Sequence, residues 1–149
     1  MPVEVKSCGV ILFRRDPETE FLLLRKPGGF DFPKGHVESG ETELECAFRE
    51  LREETGVPAE LVELDADFRF SLQYPVFDKY LRAPAIKTLV LFLGRLRAPV
   101  DLVMTEHDDF EWRVWRPRER IQRRTIDPAF AAVRQHWERR MELPTIVNG

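Results

Sequence analysis

Glu50, Glu53 and Glu54 stand at i, i+3 and i+4 in a stretch of helical periodicity, so they share one helix face. Like charges at that spacing repel by roughly a few tenths of a kcal/mol per pair, even when solvated. A bound cation would remove the repulsion. Carboxylate oxygens, completed by waters and phosphate oxygens, suit magnesium or manganese. A centre of that kind activates water against a phosphoanhydride. Glutamate-rich helix surfaces are usually nothing more than solvated faces, so the residues around the three must decide.

Those residues build the helix. Thr42 followed three residues later by Glu45 has the form of a capping box, which predicts a start near Thr42. Gly56 predicts the stop, because glycine tolerates the left-handed conformation that ends helices. Between them Leu44, Ala47, Phe48, Leu51 and Thr55 recur at spacings of three and four, a stripe to be buried in a core. The glutamates lie on a different face.

The pattern G-x5-E-x7-R-E-L-x-E-E-x-G-V, carried by Gly35, Glu41, Arg49, Glu50, Leu51, Glu53, Glu54, Gly56 and Val57, is identified as a Nudix box. The resemblance implies a loop–helix–loop in which Glu50, Glu53 and Glu54 bind the metal and the backbone carbonyl of Gly35 adds a ligand. It implies supporting roles for Glu41 and Arg49, which tie the loop to the helix. The general base differs between members of the family, and Glu53 and Glu106 are both candidates. The implied fold is α/β, a mixed, curved sheet between the box helix and a C-terminal helix in an α/β/α sandwich.

Outside the box, three stretches resemble the asymmetrical diadenosine tetraphosphate hydrolases. They are the loop from Phe32 through Pro33, Lys34, Gly35 and His36, the early hairpin containing Cys8 to Arg14 and Glu20 to Leu24, and Lys87 to Val90 on a later strand. Glu106 and His107, six residues ahead of Trp112, extend the likeness, which covers residues 7–115 and fades over the C-terminal helix. It implies that Tyr74 and Phe110 stack on adenine, that Lys87 contacts the phosphate chain, and that Glu106 lies near the metals. Phe110 lacks the hydroxyl of the tyrosine common at that position. Lys34 adjoins the metal site and could meet phosphate oxygens; His36 could do the same or simply pack in the loop. Tyr74 and Phe110 could equally be core residues. The implied reaction gives ATP and AMP from diadenosine tetraphosphate. Other phosphoanhydrides fit the same box: diphosphoinositol polyphosphates, RNA 5′ ends or damaged nucleotides. A nucleotide sensor without turnover is the alternative of another class, and the intact set of glutamates argues against it.

The remaining sequence supplies the frame. At 149 residues with 33% charged and 43% hydrophobic residues, the composition is that of one globular domain across residues 1–149. A net charge of −3 indicates no strong electrostatic partner. No signal peptide or membrane span is visible, so no membrane partner is expected. Cys8 and Cys46 lack metal-ligand spacing and read as small buried hydrophobes; with no disulfide framework, a cytoplasmic location follows. The expected partner is a small-molecule nucleoside polyphosphate, with the oligomeric state left open.

Strands are predicted over residues 3–13, 20–25, 86–96 and 110–115 and within the run 61–74, where Phe68, Phe70 and Leu72 alternate with Arg69 and Ser71, with 86–96 central and 75–85 a loop at the edge of the site. Asp127 as cap and Pro128 at the first helical position predict a second helix with a stripe of Phe130, Val133, Trp137 and Met141. Nine arginines lie between Arg113 and Arg140 against Glu119, Asp127 and Glu138. The stripe explains the helical ones as a solvated face, and nucleic acid is not an expected partner.

Overall fold

The first apolar run becomes the middle of a sheet because it is buried on both faces, as continuous apolar strands are. The structure, a computed structural model, describes residues 3–15, 17–103 and 109–142. Strand β1 (Val3–Arg15) pairs in parallel with β7 (Ala83–Leu96), from Val3 opposite Ala85 to Phe13 opposite Arg95. The other edge of β1 divides. Phe13 to Arg15 pair with β2 (Thr19–Lys26), whereas Ser7 to Gly9 pair with β4 (Lys34–His36). Strand β2 turns outward to pair with β3 (Gly29–Asp31) and β8 (Asp109–Val114). Strands β5 (Val62–Leu64) and β6 (Phe70–Asp78) share the far edge of β7. Every pairing except β1 with β7 is antiparallel, so the sheet is mixed.

Alternation along the strands sends side chains to two helices on opposite faces. Cys8, Val10 and Leu12 pack with Cys46, Ala47 and Leu51 of α1 (Glu43–Thr55). Ile11, Phe13, Leu89 and Leu91 pack with Ile126, Ala129, Phe130 and Val133 of α2 (Ile126–Glu142). The α2 side is aromatic, with edge-on contacts of Phe130 to Phe21 at 4.5 Å and to Trp115 at 5.0 Å. This is the expected α/β/α sandwich.

Four local expectations are corrected. The run at 61–74 is two strands, because a turn at Asp65 intervenes, with the Asp65 N–H on Leu93 O and Phe68 N–H on Asp65 O. Residues 75–78 and 83–85 are strand rather than loop: Pro75 pairs opposite Ile86 on β6, which pairs only with β7 among the described residues. An edge strand tolerates the missing N–H of proline. Asp127 does not cap α2; it sits in the first turn, and its carboxylate accepts from the Ile121 and Gln122 N–H groups of the preceding loop. Met141 is 79% exposed, beyond the part of α2 that meets the sheet. Glu106 and the tail from Leu143 lie outside the described residues.

Candidate active site

The division of the β1 edge places the box. Strand β4 holds Lys34, Gly35 and His36 against β1, and α1 crosses directly over them. Helix α1 starts as its sequence predicts: Thr42 Oγ1 accepts from the Glu45 N–H at 3.1 Å and Glu45 Oε1 accepts from the Thr42 N–H at 2.9 Å. It ends at Gly56, whose φ of 79° is left-handed. Gly35 is glycine for a different reason. A Cβ there would overlap the carboxylate of Glu50, so the closeness of loop and helix depends on its absence.

Arg49 organises the acidic face. Its guanidinium donates from Nε to Glu41 Oε2 at 2.6 Å, from Nη1 to Glu50 Oε1 at 2.8 Å and Glu53 Oε2 at 3.1 Å, and from Nη2 to the His36 carbonyl at 2.9 Å. Glu38 stands 3.7 Å away. Glu41 also accepts from the Glu38 N–H at 3.0 Å. The Arg49 hydrogen bond, with that N–H, holds the Glu41 carboxyl at about 2, well below the usual range. Glu41 and Arg49 therefore tie the loop to the helix, and His36 joins through its backbone while its side chain is exposed.

Glu50 is mostly buried, Glu53 is 59% exposed and Glu54 is half-buried. One guanidinium faces four carboxylates, of Glu38, Glu41, Glu50 and Glu53, so the face keeps an excess of negative charge. Glu50 Oε1 and Glu53 Oε2 meet at one nitrogen, Arg49 Nη1. Arg49 lies between Glu50 and Glu53 and relieves their repulsion, and among the described residues no group of three acidic, histidine or cysteine side chains is gathered tightly enough to hold an ion. The Gly35 carbonyl accepts the Cys46 thiol at 3.3 Å.

Beside this face lies a basic one. Lys34 is adjacent to Gly35 in β4 and pairs with Asp31 at 2.9 Å. Burial opposes its charge, but the Asp31 carboxylate outweighs burial and raises the Lys34 pKa. Lys87 has the opposite balance: burial first, and then the neighbouring charge of Lys34, push it down to about 8. Tyr74 stands opposite Lys87 in the β6–β7 register, and burial raises its phenol. Lys34, Lys87 and Tyr74 are thus brought together. Phe110 is not among them: it packs against the α1-side cluster, whereas Tyr74 packs against the α2-side cluster.

Two features escape sequence reasoning. The Arg124 guanidinium lies 5.3 Å over the Tyr74 ring, and that of Arg113 lies 5.3 Å over Phe30. Neither spacing along the chain nor residue type signals these pairs, because each joins separate elements.

The family description "NUDIX domain" matches residues 5–137, and the chain belongs to the Nudix family. The asymmetrical bis(5′-nucleosyl)-tetraphosphatase of Mus musculus is 37% identical over 120 residues, covering 72% of this chain and 78% of that protein. The Sus scrofa enzyme of the same name is 33% identical over the same coverage. Among solved structures, a C. elegans Ap4A hydrolase binary complex superposes with a TM-score of 0.75 at 26% identity, covering 93% of this chain and 98% of that one. The Nudix domain of Shewanella oneidensis NrtR, at 14% identity and a TM-score of 0.66, shares the fold.

Nudix hydrolases generally need a divalent metal, and the residues here fit one in kind. The donors on the face are carboxylate and carbonyl oxygens, the hard set such ions prefer, and the face carries uncompensated negative charge to attract them. No helix among the described residues is long and apolar enough to cross a membrane.

Proposed function

We propose that this Nudix hydrolase cleaves a phosphoanhydride of a nucleoside polyphosphate, diadenosine tetraphosphate to ATP and AMP. The observation that carries the reading is the junction at Gly35: the acidic face of α1 meets Gly35 on one side, and Lys34 with Lys87 and Tyr74 stands on the other. Glu50, Glu53, Glu54 and the Gly35 carbonyl would hold Mg2+ or Mn2+. When bound, such an ion lowers the pKa of a water and offsets phosphate charge.

The chain's own groups do the rest. Lys34, kept protonated by Asp31, and Lys87 bind phosphate oxygens and orient the chain of phosphates. Tyr74, half-buried and backed by Arg124, offers a ring face for adenine stacking. Glu53, more exposed than Glu50, is the helix carboxylate to which the proton of the attacking water is assigned. Glu106, the other candidate base, lies outside the described residues. Arg49 and Glu41 position the loop without touching substrate. Phe110, partly buried against the α1-side cluster, lies on the other face of the sheet from Tyr74. The two buried, free cysteines accord with a reducing, cytoplasmic setting.

The test is chromatographic product analysis after incubation with diadenosine tetraphosphate and magnesium, beside Glu53→Gln. ATP plus AMP from the wild type alone supports the reading. Two ADP would mean symmetrical cleavage and overturn the substrate assignment, and no turnover would remove the dinucleotide as substrate.

A further inference from the structure

The loop between β8 and α2 carries Arg118, Arg120 and Arg123, all exposed, around a cleft of about 750 Å³ whose far wall is Arg134 of α2. Two carboxylates share this cleft. Glu119 is engaged by Arg113 at 2.6 Å, and Asp127 accepts from the N–H groups of Ile121 and Gln122 at 2.8 and 3.1 Å. Arg134 is turned onto the Pro117 carbonyl at 3.1 Å. Arg118, Arg120 and Arg123 have no carboxylate partner among the described residues.

The frame that presents them is fixed. The Gln122 side-chain oxygen accepts from Thr125 N–H, Thr125 Oγ1–H and Ile126 N–H, and the Asp127 carboxylate accepts from the N–H groups of Ile121 and Gln122. A loop whose backbone donors are met in this way loses little further freedom when an anion arrives. Guanidinium groups on a rigid frame suit phosphate, which they can bind with paired hydrogen bonds. The loop that frames the cleft also reaches the candidate active site through one residue outside the cleft's lining. Arg124, next to Arg123, covers Tyr74, and Tyr74 stands opposite Lys87.

We propose that this cleft is a second anion subsite, receiving the phosphate-rich distal part of a ligand whose other end lies on Lys34 and Lys87. The direction of the ligand rests on the reading of the catalytic cleft given above; the anion site itself does not. The chemistry that would be recognised is a run of closely spaced phosphates, supplied either by a linear polyphosphate chain or by a densely phosphorylated ring.

The test is calorimetric titration in EDTA, without divalent metal, of inorganic tripolyphosphate and, in a second arm, inositol hexakisphosphate. Wild type is compared with R118A/R120A/R123A, with the corresponding glutamine variant, which keeps polar side chains, and with K34A/K87A. The arginine variants are expected to raise Kd by about tenfold or more and to flatten its dependence on salt. The arm with the larger loss identifies the source of the phosphates. Wild-type binding of neither anion, unchanged Kd in the arginine variants, or loss confined to K34A/K87A overturns the proposal. No turnover is measured, so a chain that fails to hydrolyse diadenosine tetraphosphate would still give a result here.

Discussion

Lys34 and Lys87 show how two identical side chains acquire different chemistry from their neighbours. Lys34 has Asp31 at 2.9 Å and holds its proton. Lys87 has burial and Lys34 against it, and falls from the ordinary 10.5 to about 8. The protonated form binds phosphate, so kcat/KM for a polyphosphate substrate should fall as pH rises through about 8, and Lys87→Gln should lack that limb. Stability moves the other way. Between about 8 and 10.5 the unfolded chain binds the extra proton, so this group makes the fold more stable as pH rises across that window. Urea midpoints measured alongside the rate profile should therefore not decline with it through this group. At this scale much was legible. Lys87 and Tyr74 were identified through the family resemblance and Lys34 from its place beside the box, and the structure brings the three together. The arginines over Phe30 and Tyr74 were not legible, because a guanidinium reaches a ring through tertiary placement that no local pattern encodes.

Among the elements, α1 was the most readable, since its signals are local. A capping pair, a stripe at helical spacing and a terminal glycine all lie within the segment they define. Thr42→Ala removes the oxygen that accepts the Glu45 N–H and should cost about 1 kcal/mol, seen as a lower urea midpoint with an unchanged slope. Glu45→Gln, which keeps an acceptor for the Thr42 N–H, should cost less. The β6–β7 hairpin was harder to read. Two prolines and a run of charges suggest a loop, yet pairing with an already apolar β7 extends the strand through Pro75. The start of α2 failed for a similar reason. Asp127 has the type of a cap, but its carboxylate is drawn backward to the N–H groups of Ile121 and Gln122.

For the whole molecule, the two faces of the sheet divide the labour. The α1 face carries the acidic machinery over a modest core, and the α2 face carries the aromatic mass. Phe130 is its hub, edge-on to Phe21, Phe32 and Trp115 at 4.5, 5.5 and 5.0 Å. Phe130→Ala should destabilise the fold by about 3–5 kcal/mol, measured by urea unfolding, because a large cavity would be left among rings that cannot collapse into it. The sandwich itself was foreseen from the resemblance and the two apolar stripes. The division of the β1 edge between β2 and β4, which places Gly35 beneath Glu50, was not foreseen, since strand order depends on contacts between distant parts of the chain.

The parallel pairing of β1 with β7 has a consequence for biosynthesis. Strand β1, synthesised before the rest of this sheet, has its central partner only in the last third of the sheet-forming sequence, with Phe13 waiting for Arg95. Until β7 emerges, β1 has β2 and β4 along one edge but nothing along the other, and α1 has half a sheet to rest on. Non-local closure of this kind is slow, and it exposes a nascent chain to association with others. Fragments ending before β7 should therefore collect as aggregates, whereas the full chain can close its centre in one late step.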